Sequence, residues 1–64
     1  MYDNNTYNLM RQMIMEHKML WQIKNNYMVD AAGCRECHEL WEGIVKESEH
    51  RIAKLEELLK KRMQ

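Results

Sequence analysis

The sequence contains no proline and no phenylalanine, and only two glycines and two cysteines among its 64 residues. Without proline, no backbone N–H is lost and no φ is locked, so helix can run wherever the side chains favour it. Two glycines exclude a glycine-rich phosphate loop, and two cysteines exclude a disulfide framework. Neither sign of charge is in excess: 10 Lys+Arg offset 10 Asp+Glu, which excludes binding nucleic acid through net charge. No apolar run exceeds three residues (Met13 to Met15, Met19 to Trp21, Tyr27 to Val29), far short of the ~20 needed to cross a bilayer. The opening Met1-Tyr2-Asp3-Asn4-Asn5 lacks the basic start of a signal peptide, so the expected compartment is the cytoplasm, where thiols are reduced or metal-bound. No Ser–His–Asp set or pair of buried acids is visible, so no enzymatic apparatus is expected.

What is present is helical. Hydrophobic residues make up 45%, too many for a disordered chain, and Met, Leu, Glu, Lys, Gln and Arg dominate. The strong interruption is Asp30-Ala31-Ala32-Gly33. Before it, Asn4, Asn5 or Thr6 can cap a helix, and Met10, Met13, Ile14, Leu20, Trp21, Tyr27 and Met28 recur at three- and four-residue steps. After it, Cys37, Leu40, Trp41, Ile44, Val45, Ile52, Leu55, Leu58 and Leu59 repeat the pattern. The acid-first pairs Glu42/Lys46, Glu47/Arg51, Glu56/Lys60 and Glu57/Lys61 support the second helix, and Lys60, Lys61 and Arg62 suit its negative end.

The expected fold is all-α: one domain over residues 1–64, with residues 1–5 frayed and helices over 6–30 and 34–62. A short turn makes the two helices antiparallel. Two helices cannot enclose a core, and Leu9, Met19, Ile23 and Val45 fall outside the narrowest apolar stripe. The expected assembly is therefore a homodimeric four-helix bundle. A chain this small needs such a supplement, or a metal or disulfide. Residues 1–32 carry three basic and three acidic side chains against seven of each in residues 33–64, so the first helix is the expected interface.

The most specific local pattern is Cys34-Arg35-Glu36-Cys37-His38. Two cysteines three apart at a helix start place both sulfurs on one side, where the helix dipole favours thiolate. Cys34, Cys37 and His38 could supply zinc with tetrahedral ligands completed by a second chain. This arrangement resembles the zinc hook at the coiled-coil apex of DNA-repair ATPases of the SMC type, with Arg35 where those hooks usually carry proline. Cys-x-x-Cys-His is also the c-type haem attachment motif, although that attachment occurs outside the cytoplasm. The pair could equally be a dithiol redox switch, or Cys37 a small core residue and Cys34 an ordinary turn residue.

Glu16 and Glu47-Ser48-Glu49-His50 form a second constellation. With the turn centred near Ala32, residues whose numbers sum to about 65 share a level, which puts Glu16 beside Glu47 and His50. The stretch from Leu40 to Leu58 resembles the Glu-x-x-His helix of rubrerythrin and ferritin-like families, and the spacing from Glu16 resembles encapsulated ferritins, in which dimerisation completes an iron site. That resemblance implies Glu16, Glu47 and His50 as iron ligands. The helical wheel opposes it: at ~100° per residue His50 points away from the apolar arc, leaving a solvated face with a Glu47–Arg51 pair.

His17 falls inside the first helix's apolar arc, level with an inward-facing Ser48, and a buried His–Ser layer would fix register. The expected core and interface thus comprise Met10, Met13, Ile14, His17, Leu20, Trp21, Tyr27, Met28, Leu40, Trp41, Ile44, Val45, Ser48, Ile52, Leu55 and Leu59. Methionines at 10, 13, 15, 19 and 28 suit a surface that accommodates a protein partner. The plan is similar to the small plasmid repressor-of-primer protein, an analogy of architecture alone. The expected function is a small homo-oligomeric interaction or assembly module with a metal or thiol site at its turn. The second expectation is an iron-binding half-bundle.

Overall fold

The computed structural model describes residues 3–63, all of them helical apart from Asp3 and one short turn. Helix α1 runs Asn4–Gln22, passes without a break into a π-helical segment, Ile23–Tyr27, and ends in the single turn α2, Met28–Asp30; α3 runs Arg35–Met63. No helix among the described residues is long and apolar enough to cross a membrane.

The first helix begins earlier than the expected boundary at residue 6, because Asp3 is the cap. Its Oδ1 accepts the Thr6 backbone N–H at 2.7 Å, satisfying a donor that the first turn leaves free. Asn4, Asn5 and Thr6 are inside the helix rather than capping it. The expected fraying of residues 1–5 is corrected for residues 3–5; residues 1 and 2 lie outside the described residues.

The π segment widens the turn, with the Met28 N–H bonding the Ile23 carbonyl five residues back. At its start the Asn25 side-chain amide donates to the Trp21 carbonyl at 2.8 Å. Ile23 lies seven residues after buried Glu16 and three after buried Leu20, on the same face of the first helix. This overturns the expectation for Ile23. Placed outside the apolar stripe by an ideal wheel, it is 1% exposed and among the most buried side chains in the molecule.

The turn falls where Asp30-Ala31-Ala32-Gly33 interrupts the pattern. Cys34 N–H bonds the Ala31 carbonyl at 2.9 Å, and His38 N–H bonds the Cys34 carbonyl at 3.0 Å, which starts α3. No glycine has a positive φ, and a Cβ on Gly33 would meet nothing within 4 Å.

Contacts between the two helices pair the start of one with the end of the other. Arg62 Nε donates to Thr6 Oγ1 at 3.0 Å, Ser48 and Arg51 reach Glu16, Lys24 lies 3.5 Å from Glu49, and Tyr27 packs on Trp41 with ring centroids 5.0 Å apart. The buried apolar side chains are Leu20, Ile23, Ala31, Ile52 and Leu59, interleaved with buried Thr6, Glu16 and Ser48. The molecule measures 48 × 16 × 13 Å. Of the expected acid-first helix pairs, Glu57/Lys61 is made at 3.6 Å; among the described residues Glu42, Glu47 and Glu56 do not pair with Lys46, Arg51 and Lys60.

Candidate functional site

Three features carry the polar and exposed chemistry: a buried carboxylate layer, the cysteine pair at the turn, and an apolar stripe on the outside of α1.

The layer centres on Glu16, 4% exposed, opposite fully buried Ser48. Ser48 Oγ donates to Glu16 Oε2 at 2.5 Å; Arg51 donates through Nε to Oε1 at 2.7 Å and through Nη2 to Oε2 at 3.2 Å; the Gln12 amide reaches Oε1 at 3.3 Å. This is a bidentate guanidinium–carboxylate fork, the geometry that makes a charged hydrogen bond strong. The Arg51 bonds, helped by Ser48 and Gln12, outweigh the burial that opposes ionisation and hold the Glu16 carboxyl at about 2. Among the described residues no buried side-chain N or O atom lacks a partner.

The level is the expected one, but its occupants differ. His17 is exposed, and Glu16 is the residue that meets Ser48. One residue is ~100° of helix, enough to exchange an inward for an outward position. The same offset separates Glu47 and His50, both exposed, from Ser48 and Arg51, the pair three apart that faces Glu16. Both Glu16 oxygens are engaged by Ser48 and Arg51, so the carboxylate serves as the anion of an ion pair. Among the described residues no three His, Cys, Asp or Glu side chains converge as a metal site would require. The role of Arg51 went unread in the sequence because Glu47, four residues earlier, was its expected partner.

At the turn, Cys34 and Cys37 are joined in a disulfide with Cα atoms 5.3 Å apart, which corrects the expectation of reduced or metal-bound thiols. In this form neither sulfur is a thiolate that could ligate a metal. The Cys37 backbone N–H donates to Cys34 Sγ at 3.2 Å, the place a capping serine hydroxyl would take. His38 is set apart from the sulfurs: its Nδ1 lies 2.8 Å from Glu42 Oε1 one helical turn on. Beside the disulfide is a shallow hollow of about 310 Å³ lined by Tyr27, Asp30, Ala31, Cys34, Cys37 and Trp41.

A clasp that sequence reasoning missed closes the far end, where Arg62 holds both Thr6 Oγ1 and, through Nη2, Asp3 Oδ2 at 3.2 Å. The hydrogen bonds from Thr6, with a smaller contribution from Arg62, lower the Asp3 pKa. The available signal was the Asp3-x-x-Thr6 spacing of a helix cap.

Of the expected core and interface residues, Leu20, Ser48, Ile52 and Leu59 are buried. Met10, Met13, Met28, Trp41, Ile44, Val45 and Leu55 are half-buried. Ile14, His17, Trp21, Tyr27 and Leu40 are exposed in the single chain and lie outside its own core. The cause is that a single facing helix covers only a narrow arc of each neighbour. Tyr7, Ile14 and Trp21, seven apart and 57%, 53% and 62% exposed, form one stripe on the face of α1 turned away from α3. A groove along it is lined by Tyr7, Met10, Arg11, Ile14, Met15 and Lys18.

No family model matches this chain, and no curated protein or solved structure matches it.

Proposed function

We propose that the chain is an antiparallel helical hairpin that pairs with a second copy through the Tyr7–Ile14–Trp21 stripe, completing a four-helix bundle and serving as a homo-oligomeric assembly module. The observation that carries this reading is the excess of surface. The chain exposes 5221 Å², whereas a compact monomer of 7.9 kDa exposes about 4,400 Å². The difference, roughly 800 Å², is one partner's share of a standard protein interface. The Cα radius of gyration, 14.5 Å, likewise exceeds the ~11 Å of a compact 64-residue domain.

The stripe supports the same occupant. A strict seven-residue spacing of Tyr, Ile and Trp is a seam for another helix, and such large exposed side chains are the type that anchors interfaces. Zero net charge removes long-range repulsion between copies. A protein partner of other sequence would need the same apolar complement and is a test outcome rather than the preferred reading.

Sedimentation equilibrium at micromolar concentration is expected to give the mass of two chains. Ile14→Glu and Trp21→Glu, each placing a charge on the stripe, are expected to give the mass of one and to retain the helical circular dichroism signal. A folded wild-type monomer at that concentration would overturn the proposal.

A further inference from the structure

We propose that the Cys34–Cys37 pair is a thiol–disulfide exchange centre for low-molecular-weight thiols. This goes beyond the assembly reading and does not depend on it.

The bond is poorly placed to hold the fold. It closes a loop of only a few residues, where the entropy withdrawn from the unfolded chain is smallest. Both sulfurs sit at the entry to α3, so the link ties neither α1 nor the π segment to α3. It is instead well placed to react. Cys37 is exposed, whereas Cys34 is half-buried and its sulfur accepts the Cys37 N–H at 3.2 Å. That bond favours negative charge on Cys34 Sγ over Cys37 Sγ, which makes it the better leaving group. The two cysteines are therefore inequivalent: Cys37 is the more exposed, and Cys34 is the one whose sulfur accepts an N–H. The adjoining hollow, about 310 Å³ and lined by Tyr27 and Trp41 among others, has room for a small thiol.

The step balances as follows in electrons and atoms. An incoming thiolate attacks Cys37 Sγ; a new S–S bond forms, the Cys34–Cys37 bond breaks, and its electron pair leaves on Cys34 Sγ as a thiolate held by the Cys37 N–H. A second thiolate attacks the outer sulfur of the adduct and releases Cys37 as a thiolate, which takes a proton from water. Two small thiols become one disulfide, and the protein disulfide becomes a dithiol. A small disulfide reverses the sequence.

The test uses the full chain without denaturant, with glutathione as the probe thiol. Oxidised protein is treated with limiting glutathione, quenched in acid, and mapped by mass spectrometry. The adduct is expected on Cys37 at least tenfold over Cys34. Cys34→Ser, which removes the resolving thiol, is expected to accumulate the Cys37 adduct when treated with oxidised glutathione. Reduction that proceeds only in denaturant, an adduct divided evenly between the cysteines, or a reduced protein that retains one zinc per two chains after dialysis would each overturn the proposal. The Ile14→Glu variant is expected to exchange at the wild-type rate within twofold, so a failure of pairing and a failure of exchange are read separately.

Discussion

Glu16 shows how much one residue's position around a helix decides. Its carboxylate lies in a layer that also holds Ser48, and its two oxygens accept four hydrogen bonds from three side chains. A buried carboxylate is stabilising only while that set is complete, because an unpaired charge in the same place would carry the full desolvation cost. Glu16→Gln is expected to destabilise the protein by about 1–3 kcal/mol in urea unfolding, since the amide loses the charge and turns an N–H donor toward the donors of Arg51 or Ser48. The pH dependence has a definite sign. The carboxyl is lowered from 4.5 to about 2 in the folded chain, so its stabilisation is present above the unfolded value and is lost as pH falls from about 4.5 toward 2. Wild type is expected to lose denaturation midpoint across that window, and Glu16→Gln to show a flatter profile there. A wild-type curve parallel to that of the variant would rule out Glu16 as the titrating group.

At the scale of elements, α3 is the more regular helix and the first helical stretch the more specialised one. The acidic Glu36 at the start of α3 and Lys60, Lys61 and Arg62 at its end complement the macrodipole, as the sequence predicts. Gly43 weakens its middle without evident need, because a Cβ there would meet nothing within 4 Å and the φ is not positive. Gly43→Ala is expected to stabilise the protein by about 0.5–1 kcal/mol, read from the denaturation midpoint at unchanged slope. A neutral or destabilising result would show that the glycine is needed for close approach of a partner. The π segment in the first stretch has no counterpart in α3. Ile23 at its start is buried, and Tyr27 at its end lies against Trp41, near the turn. Apolar periodicity announces the helices but not this widening, which depends on a local choice between bonding the carbonyl four or five residues back.

At the scale of the whole molecule, the shape is elongated and the core is narrow. Five buried apolar side chains among the described residues make a thin core for 64 residues, and small domains of that kind depend on a supplement. Self-pairing supplies it in the proposed reading. Its thermodynamic signature is a melting temperature that rises with protein concentration, because association stabilises by mass action. A tenfold change in concentration is expected to move the wild-type midpoint by several degrees and leave the Trp21→Glu midpoint in place. A wild-type midpoint independent of concentration would point instead to a folded monomer.

The all-helical class, the position of the turn and the levels at which residues meet were legible in the sequence, because each follows from local propensity, apolar spacing and a fixed rise per residue. Glu16 and Ser48 share a level for that reason. What the tertiary structure decided was rotation. Whether Glu16 or His17 faces Ser48, whether Arg51 or His50 reaches the carboxylate, and whether Ile23 lies inside or outside the stripe each depends on ~100° about a helix axis. The narrow arc covered by one facing helix decides which of those positions is buried. The disulfide stands between the two. Its spacing was plain in Cys34-Arg35-Glu36-Cys37, but the inequality of its sulfurs arises only once the Cys37 N–H is turned onto Cys34 at the start of α3.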